Sequence, residues 1–121
     1  MTRGGSEAFP KRRRLLKRRD YLAVQQRGRK IHLRDLLVLF SPRQGLNRLG
    51  ITASRKVGNA VQRNRIKRLI REVWRRHQRI LPPGHDMVFI VKRGTTTTHD
   101  SLLKQFKELA RRLTLGAQSQ S

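Results

Sequence analysis

The sequence contains no cysteine. That excludes disulfides, thiolate metal sites and a cysteine nucleophile, and it fits a reducing compartment. Acid is scarce as well: seven Asp and Glu stand against thirty Lys and Arg. Aromatic residues make up 5% of the chain, so a core must be built mostly from Leu, Ile and Val. Long apolar runs are also missing. The longest, "LLVLF" (36–40) and "MVFIV" (87–91), fall far short of the roughly 20 residues that cross a bilayer. The opening residues, "MTRGGSEAFPKRRRLL", carry no apolar segment after their charges and do not read as a secretory signal. The expectation is a soluble, cytoplasmic protein.

What is present is positive charge, a net +23 on 121 residues. Such a chain repels itself, so its working state is expected to include a polyanion. Nucleic acid is the first candidate and an anionic membrane surface the second. The length suits one domain. Residues 1–8 read as a disordered tail. Residues 11–19 hold seven basic residues in nine, a basic arm of the kind that contacts phosphates. Asp20 is an expected N-cap for a short helix, "DYLAVQQRG", closed by Gly28. Three short strands follow from "LLVLF", "RLGITASR" and "HDMVFIVKR", punctuated by "SPRQGLN" and "PPG". Continuous apolar runs of this kind suit strands buried on both faces.

A helix is expected over about 59–80, between the second and third strands. Asn59 caps it, and Pro82 stops it. Ile66, Leu69, Ile70, Val73, Trp74 and His77 recur at helical spacing and form its packing stripe. A last helix carries Leu102, Leu103, Phe106, Leu109, Ala110 and Leu113, with Thr97 and Asp100 as a capping box and 115–121 as a tail. The element order is helix, strand, strand, long helix, strand, helix: an α+β domain with helices on a small sheet.

The long helix carries the functional signal. Arg63, Arg65, Lys67, Arg68, Arg71, Arg75 and Arg76 stand against one acid, Glu72. Opposite the apolar stripe fall Asn64, Arg68, Arg71, Arg75 and Arg79. A merely solvated face mixes Glu with Lys to gain i, i+4 pairs, whereas like charges at that spacing destabilise a helix. A nearly pure cationic face fits a bound polyanion. Arginine forks match phosphate oxygens, and Asn64 offers a donor and an acceptor to a base or sugar edge. Gly58 permits a tight entry into the helix, whose first amides can hold a phosphate. A membrane fits less well, because the apolar face is needed by the rest of the fold.

Catalytic patterns are thin. Glu72 has Arg68 and Arg76 at i±4 and reads as an ion-pair partner. No spacing pairs two carboxylates on one element. His32, His77, His85 and His99 form no HxxxH or HExxH pair. No phosphate-binding loop of the GxxxxGK[ST] type is present.

The segment "GLNRLGITASRKVGNAVQRNRIKRLIREVWR" (45–75), with "RNR" at its centre, resembles the protein subunit of bacterial ribonuclease P. The resemblance extends to "LLKRRDYLAVQQRGRKI" and "DMVFIVKRG" and covers about residues 9–114. It implies a small two-layer α/β sandwich similar to the second domain of ribosomal protein S5, with an unusual left-handed βαβ crossover through the RNR helix. Generic rules favour a right-handed one. It implies a ribonucleoprotein that removes the 5′ leader of precursor tRNA. In that family an RNA subunit is the catalyst and holds the catalytic Mg2+, and the protein holds no metal alone and needs no protein partner. Arg55, Lys56, Arg63, Asn64, Arg65, Lys67, Arg68 and Arg71 match the RNA-binding motif. Tyr21 matches the first aromatic of a cleft for the single-stranded leader. Gln25 stands where a second ring is typical, and Leu39 where a Tyr can stand, with Phe40 beside it. Phe9 is a candidate for a compensating ring. The competing expectation is a ribosomal or general RNA-binding protein with no role in leader removal.

Overall fold

The computed structural model describes residues 18–93 and 97–119. The tail at 1–8, Phe9 and most of the basic arm lie outside the described residues. The elements are α1 (Arg18–Arg27), β1 (Arg29–His32), β2 (Leu36–Pro42), β3 (Arg48–Thr52), α2 (Ala60–His77), a 3-10 turn (Gln78–Ile80), β4 (His85–Val91) and α3 (His99–Ser119). The four strands form one mixed sheet in the order β1-β2-β4-β3. β2 is antiparallel to β1 and β4, while β3 lies parallel to β4, joined to it through α2.

Strand periodicity divides the apolar residues between two faces. Leu36, Val38, Leu49, Met87, Phe89 and Val91 face α2 and α3 and build the main core with Ile66, Ile70, Val73, Trp74 and Leu109. Leu39 and Val88 point the other way and are covered by Val24 of α1. Helices therefore lie on both sheet faces, and α1 adds a partial third layer to the expected two. The centre of the main core is aromatic despite the scarcity of rings. Trp74, Phe89 and Phe106 meet edge-on or tilted, with centroids 6.0, 6.1 and 6.4 Å apart.

The long helix obeys its local signals. Asn59 Oδ1 accepts from the Gln62 amide at 2.9 Å, and Gln62 Oε1 accepts from the Asn59 amide at 2.8 Å, a capping box. Gly58 makes room for it: a Cβ there would stand 2.2 Å from Gln62 Oε1.

Other boundaries differ from expectation. α1 starts at Arg18, so Asp20 lies in its first turn and is not the cap. Gly28 follows α1 without left-handed backbone; a Cβ would meet the Val24 carbonyl at 2.2 Å and the Phe40 carbonyl at 2.9 Å. β1 was not expected, because it is short, mostly exposed and basic, and pairs only with β2 at the sheet edge. At α3 the Ser101 amide donates to Thr98 Oγ1 at 3.2 Å, so Thr98 is the cap in place of Thr97. α3 also runs on to Ser119 through the residues expected as a tail.

Asp86 is a buried residue of β4. Arg48 of β3 grips it by donating from Nε and Nη2, at 2.7 and 2.8 Å, and Arg43 approaches at 3.5 Å. The hydrogen bond to Asp86 holds the Arg48 guanidinium above its usual range. Arg48 also lies 3.9 Å from Asp20, which ties α1 to the sheet. Asp86→Asn is expected to lower the unfolding free energy by about 2–3 kcal/mol, because it strands a part-buried guanidinium. Glu72→Gln, on an exposed pair, should cost less than about 1 kcal/mol. Urea unfolding of both variants at neutral pH checks this; equal losses would contradict it.

Candidate RNA interface

Burial of the α2 stripe fixes which way the charges point. Ile66, Ile70, Val73 and Trp74 are buried, Leu69 and His77 are half-buried, and Asn64, Arg65, Arg68 and Arg71 are exposed. Arg63 and Lys67 sit half-buried on the flank. Arg55 and Lys56 are exposed in the loop between β3 and α2. A turn closed by the Val57 amide on the Ser54 carbonyl, at 3.0 Å, holds that loop at the head of the helix. The eight residues expected to bind RNA thus lie on one helix and the loop leading into it.

Their side chains are largely unengaged. Arg55, Lys56, Asn64, Lys67, Arg68 and Arg71 make no side-chain hydrogen bond or ion pair among the described residues. Arg65 reaches the Thr97 carbonyl at 3.4 Å, which orients it across the start of α3. Arg63 Nε is buried without a partner among the described residues. Glu72 does not pair with Arg68 as expected. It binds Arg75 at 2.8 Å and Arg76 at 2.6 Å, and the Arg75 hydrogen bond, then that of Arg76, holds its carboxyl below the usual range. Arg68 stays available as a result.

The second site lies across the sheet. Arg18, Tyr21, Leu22 and Gln25 line a groove along α1. Tyr21 is half-buried and Gln25 exposed, one turn apart on one face. Leu37 and Ile90 continue this side of the sheet as half-buried apolar surface. Leu39 is not at the surface: it is 4% exposed, packed beneath α1 with Val24 and Val88. It supports the groove and cannot stack on a base. Phe40 belongs to the opposite face, against the main core and edge-on to His85 at 5.9 Å. Among the described residues Tyr21 is therefore the one Phe, Tyr or Trp ring on the α1 side.

Two groups that shape this groove were missed in the sequence. Arg48 has no local signature, since its partner Asp86 lies 38 residues on. Gly50 had one: a glycine inside a strand often marks a close approach, and here Tyr21 is what approaches. Among the described residues no three His, Cys, Asp or Glu gather as a metal-binding group. No described helix is long and apolar enough to cross a membrane.

An α+β body with an unpaired cationic helix face, and a part-apolar groove across the sheet, defines an RNA-binding protein. A family model described as Ribonuclease P matches residues 9–114. The "Ribonuclease P protein component" of Desulfatibacillum aliphaticivorans is 40% identical over 100 residues, 82% of this chain and 85% of the relative. That of Thermotoga maritima is 40% identical over 90 residues, 73% and 76% of the two chains. The solved RNase P protein from Thermotoga maritima superposes with a TM-score of 0.75 at 31% identity, covering 82% of this chain and 96% of the other. The Staphylococcus aureus RNase P protein gives 0.74 at 27%, covering 82% and 93%. The chain belongs to the ribonuclease P protein family, subunits of the enzyme that processes the 5′ leader of precursor tRNA.

Arg68→Ala is expected to flatten the log–log salt dependence of RNA binding by about one unit, the share of one phosphate contact. Glu72→Gln should do the reverse, steepening the slope as Arg75 and Arg76 are released toward phosphate. A salt series of binding isotherms checks both, and unchanged slopes would reduce this face to solvated surface.

Proposed function

We propose that α2 and its leading loop dock on the RNA subunit of ribonuclease P while α1 and the sheet hold the single-stranded 5′ leader of precursor tRNA. Arg55, Lys56, Arg63, Asn64, Arg65, Lys67, Arg68 and Arg71 make the first contact. Tyr21 and Gln25 make the second, with Leu39 supporting them from below. The observation that supports this reading is the cationic face of α2, where Arg68, Arg71 and the leading Arg55 and Lys56 have no counter-charge among the described residues, in a member of this family. The RNA subunit supplies the catalyst, and no further protein is required. The βαβ crossover through α2 is assigned the left-handed sense of the family, and the location is the cytoplasm, where tRNA is processed.

The protein's contribution is electrostatic and positional. Bringing a catalytic RNA and a tRNA together crowds phosphates, which counterions must neutralise. Mg2+ supplies that neutralisation and the metal chemistry at RNA and substrate oxygens. Fixed guanidinium groups reduce the demand for free ions. The groove adds contacts that only a leader-bearing substrate can make, so it favours precursor over mature product.

Reconstitution with the RNA subunit at low Mg2+ should therefore accelerate leader removal, and no acceleration would refute the assignment. A general RNA-binding protein would bind precursor and mature tRNA equally in that complex. Tyr21→Ala is expected to weaken precursor binding by about 1–3 kcal/mol, one lost stacking contact, and to spare mature tRNA. Gln25→Phe, which supplies the missing ring, should strengthen precursor binding by a similar increment. Competition binding with the two tRNAs reads both changes.

A further inference from the structure

We propose that Gly50 is a positioning residue for leader recognition: it leaves the bare strip of β3 on which the Tyr21 ring comes to rest. The inference depends on the groove being the leader site.

Gly50 sits mid-strand in β3, paired with Val88 of β4. Its neighbours Leu49 and Ile51 belong to the core on the far face, so position 50 points toward α1. A Cβ there would stand 2.7 Å from Tyr21 Oη, 2.8 Å from Cζ and 3.0 Å from Cε1. Each distance is inside van der Waals contact, and all three atoms belong to the outer end of one ring. Gly50 is not kept for its backbone, because the positive-φ glycines are Gly45, Gly58 and Gly84. A glycine inside a strand also sacrifices packing and backbone entropy. Close approach of Tyr21 is the feature that needs it.

The consequence concerns stacking. Tyr21 extends from α1 to β3, and its helix is pinned nearby by Asp20 to Arg48, which Asp86 grips in turn. The ring is thereby held across the sheet with part of its surface exposed. A base that meets a fixed ring avoids the ordering cost of a mobile one. With Gln25 where a second ring is typical, no other Phe, Tyr or Trp among the described residues stands on this face to compensate. A methyl group at position 50 would lift the ring and leave the sheet in place, because the half-exposed ring can move and the β3–β4 ladder need not.

The test uses the full chain reconstituted with its RNA subunit and reads the ratio of affinities for leader-bearing and mature tRNA. Gly50→Ala is expected to cut that ratio by at least about fivefold, the lower end of one stacking contact. In a Tyr21→Ala background the same change should add nothing. The chain has one tyrosine, so its ring protons form one spin system. In the free protein they should show nuclear Overhauser contacts to the Gly50 α-protons and shift in Gly50→Ala, while amides of the RNR helix stay put. The proposal is overturned if Tyr21→Ala lowers the ratio and Gly50→Ala does not, if the two losses add, if the ring contact is absent, or if Gly50→Ala fails to fold. If Tyr21→Ala leaves the ratio unchanged, the leader groove itself is refuted and Gly50 with it.

Discussion

Thirty cations and seven acids in one small chain set the constraint from which the rest follows. Repulsion among the cations opposes compaction, so the placement of the few acids matters. Asp86 holds Arg48 and Arg43 where β3 and β4 meet. Asp20 brings α1 toward the same arginine. Asp35 accepts from the Gln105 amide at 2.7 Å and ties the β1–β2 turn to α3. Glu72 gathers Arg75 and Arg76, and Glu108 gathers Arg111 and Arg112, whose hydrogen bonds hold its carboxyl down to about 2. Asp100 lies in the first turn of α3, where a negative charge suits the helix dipole. No acid faces Arg68, Arg71 or the loop at Arg55 and Lys56 among the described residues. The acids close the fold, and the cationic face is what they leave uncovered.

The sheet turns that distribution into two sites. One face takes Leu36, Val38, Met87 and Phe89, and the apolar stripe of α2 must lie there. Its charges then have nowhere to go but outward. The other face presents Leu37, Leu39, Val88 and Ile90, too narrow an apolar strip to need more than the short α1. What α1 does not cover becomes a groove. Strand alternation thus places a polyanion surface and a single-strand groove on one rigid body.

This division explains what could be read from the sequence. The identity, capping and cationic face of α2 were legible because each rests on residues within a turn or two: Asn59 with Gln62, and the Ile66–Ile70–Val73 spacing. Non-local features were not. β1 exists because β2 offers it an edge, and "RKIH" has no apolar pattern of its own. Arg48 and Asp86 meet only after β3 and β4 pair. Glu72 had Arg68 and Arg76 within reach at i±4, and it takes Arg76 together with Arg75. Leu39 matched a position that can hold a Tyr, yet burial beneath Val24 gives it a packing role. The groove was expected as a list of side chains, and its shape depends on Gly50, which contributes no side chain at all.

The repelling face of α2 raises an energetic question that magnitudes can decide. Like charges at i, i+4 cost about 0.2–0.5 kcal/mol per pair in an isolated helix. Arg63–Lys67, Lys67–Arg71 and Arg71–Arg75 are like-charged pairs at this spacing along the face. Against them stand Ile66, Ile70, Val73 and Trp74, each buried side chain stabilising by roughly 1.5–3 kcal/mol. Burial outweighs this repulsion, so like charges on the face do not by themselves decide whether the helix forms. A disordered basic segment must fold as it binds and gives up several kcal/mol in doing so. A prefolded cationic face loses only side-chain freedom, and RNA phosphates then relieve the repulsion that packing has overridden. Binding and stability reinforce each other at this surface, and the core that makes the face rigid is the reason.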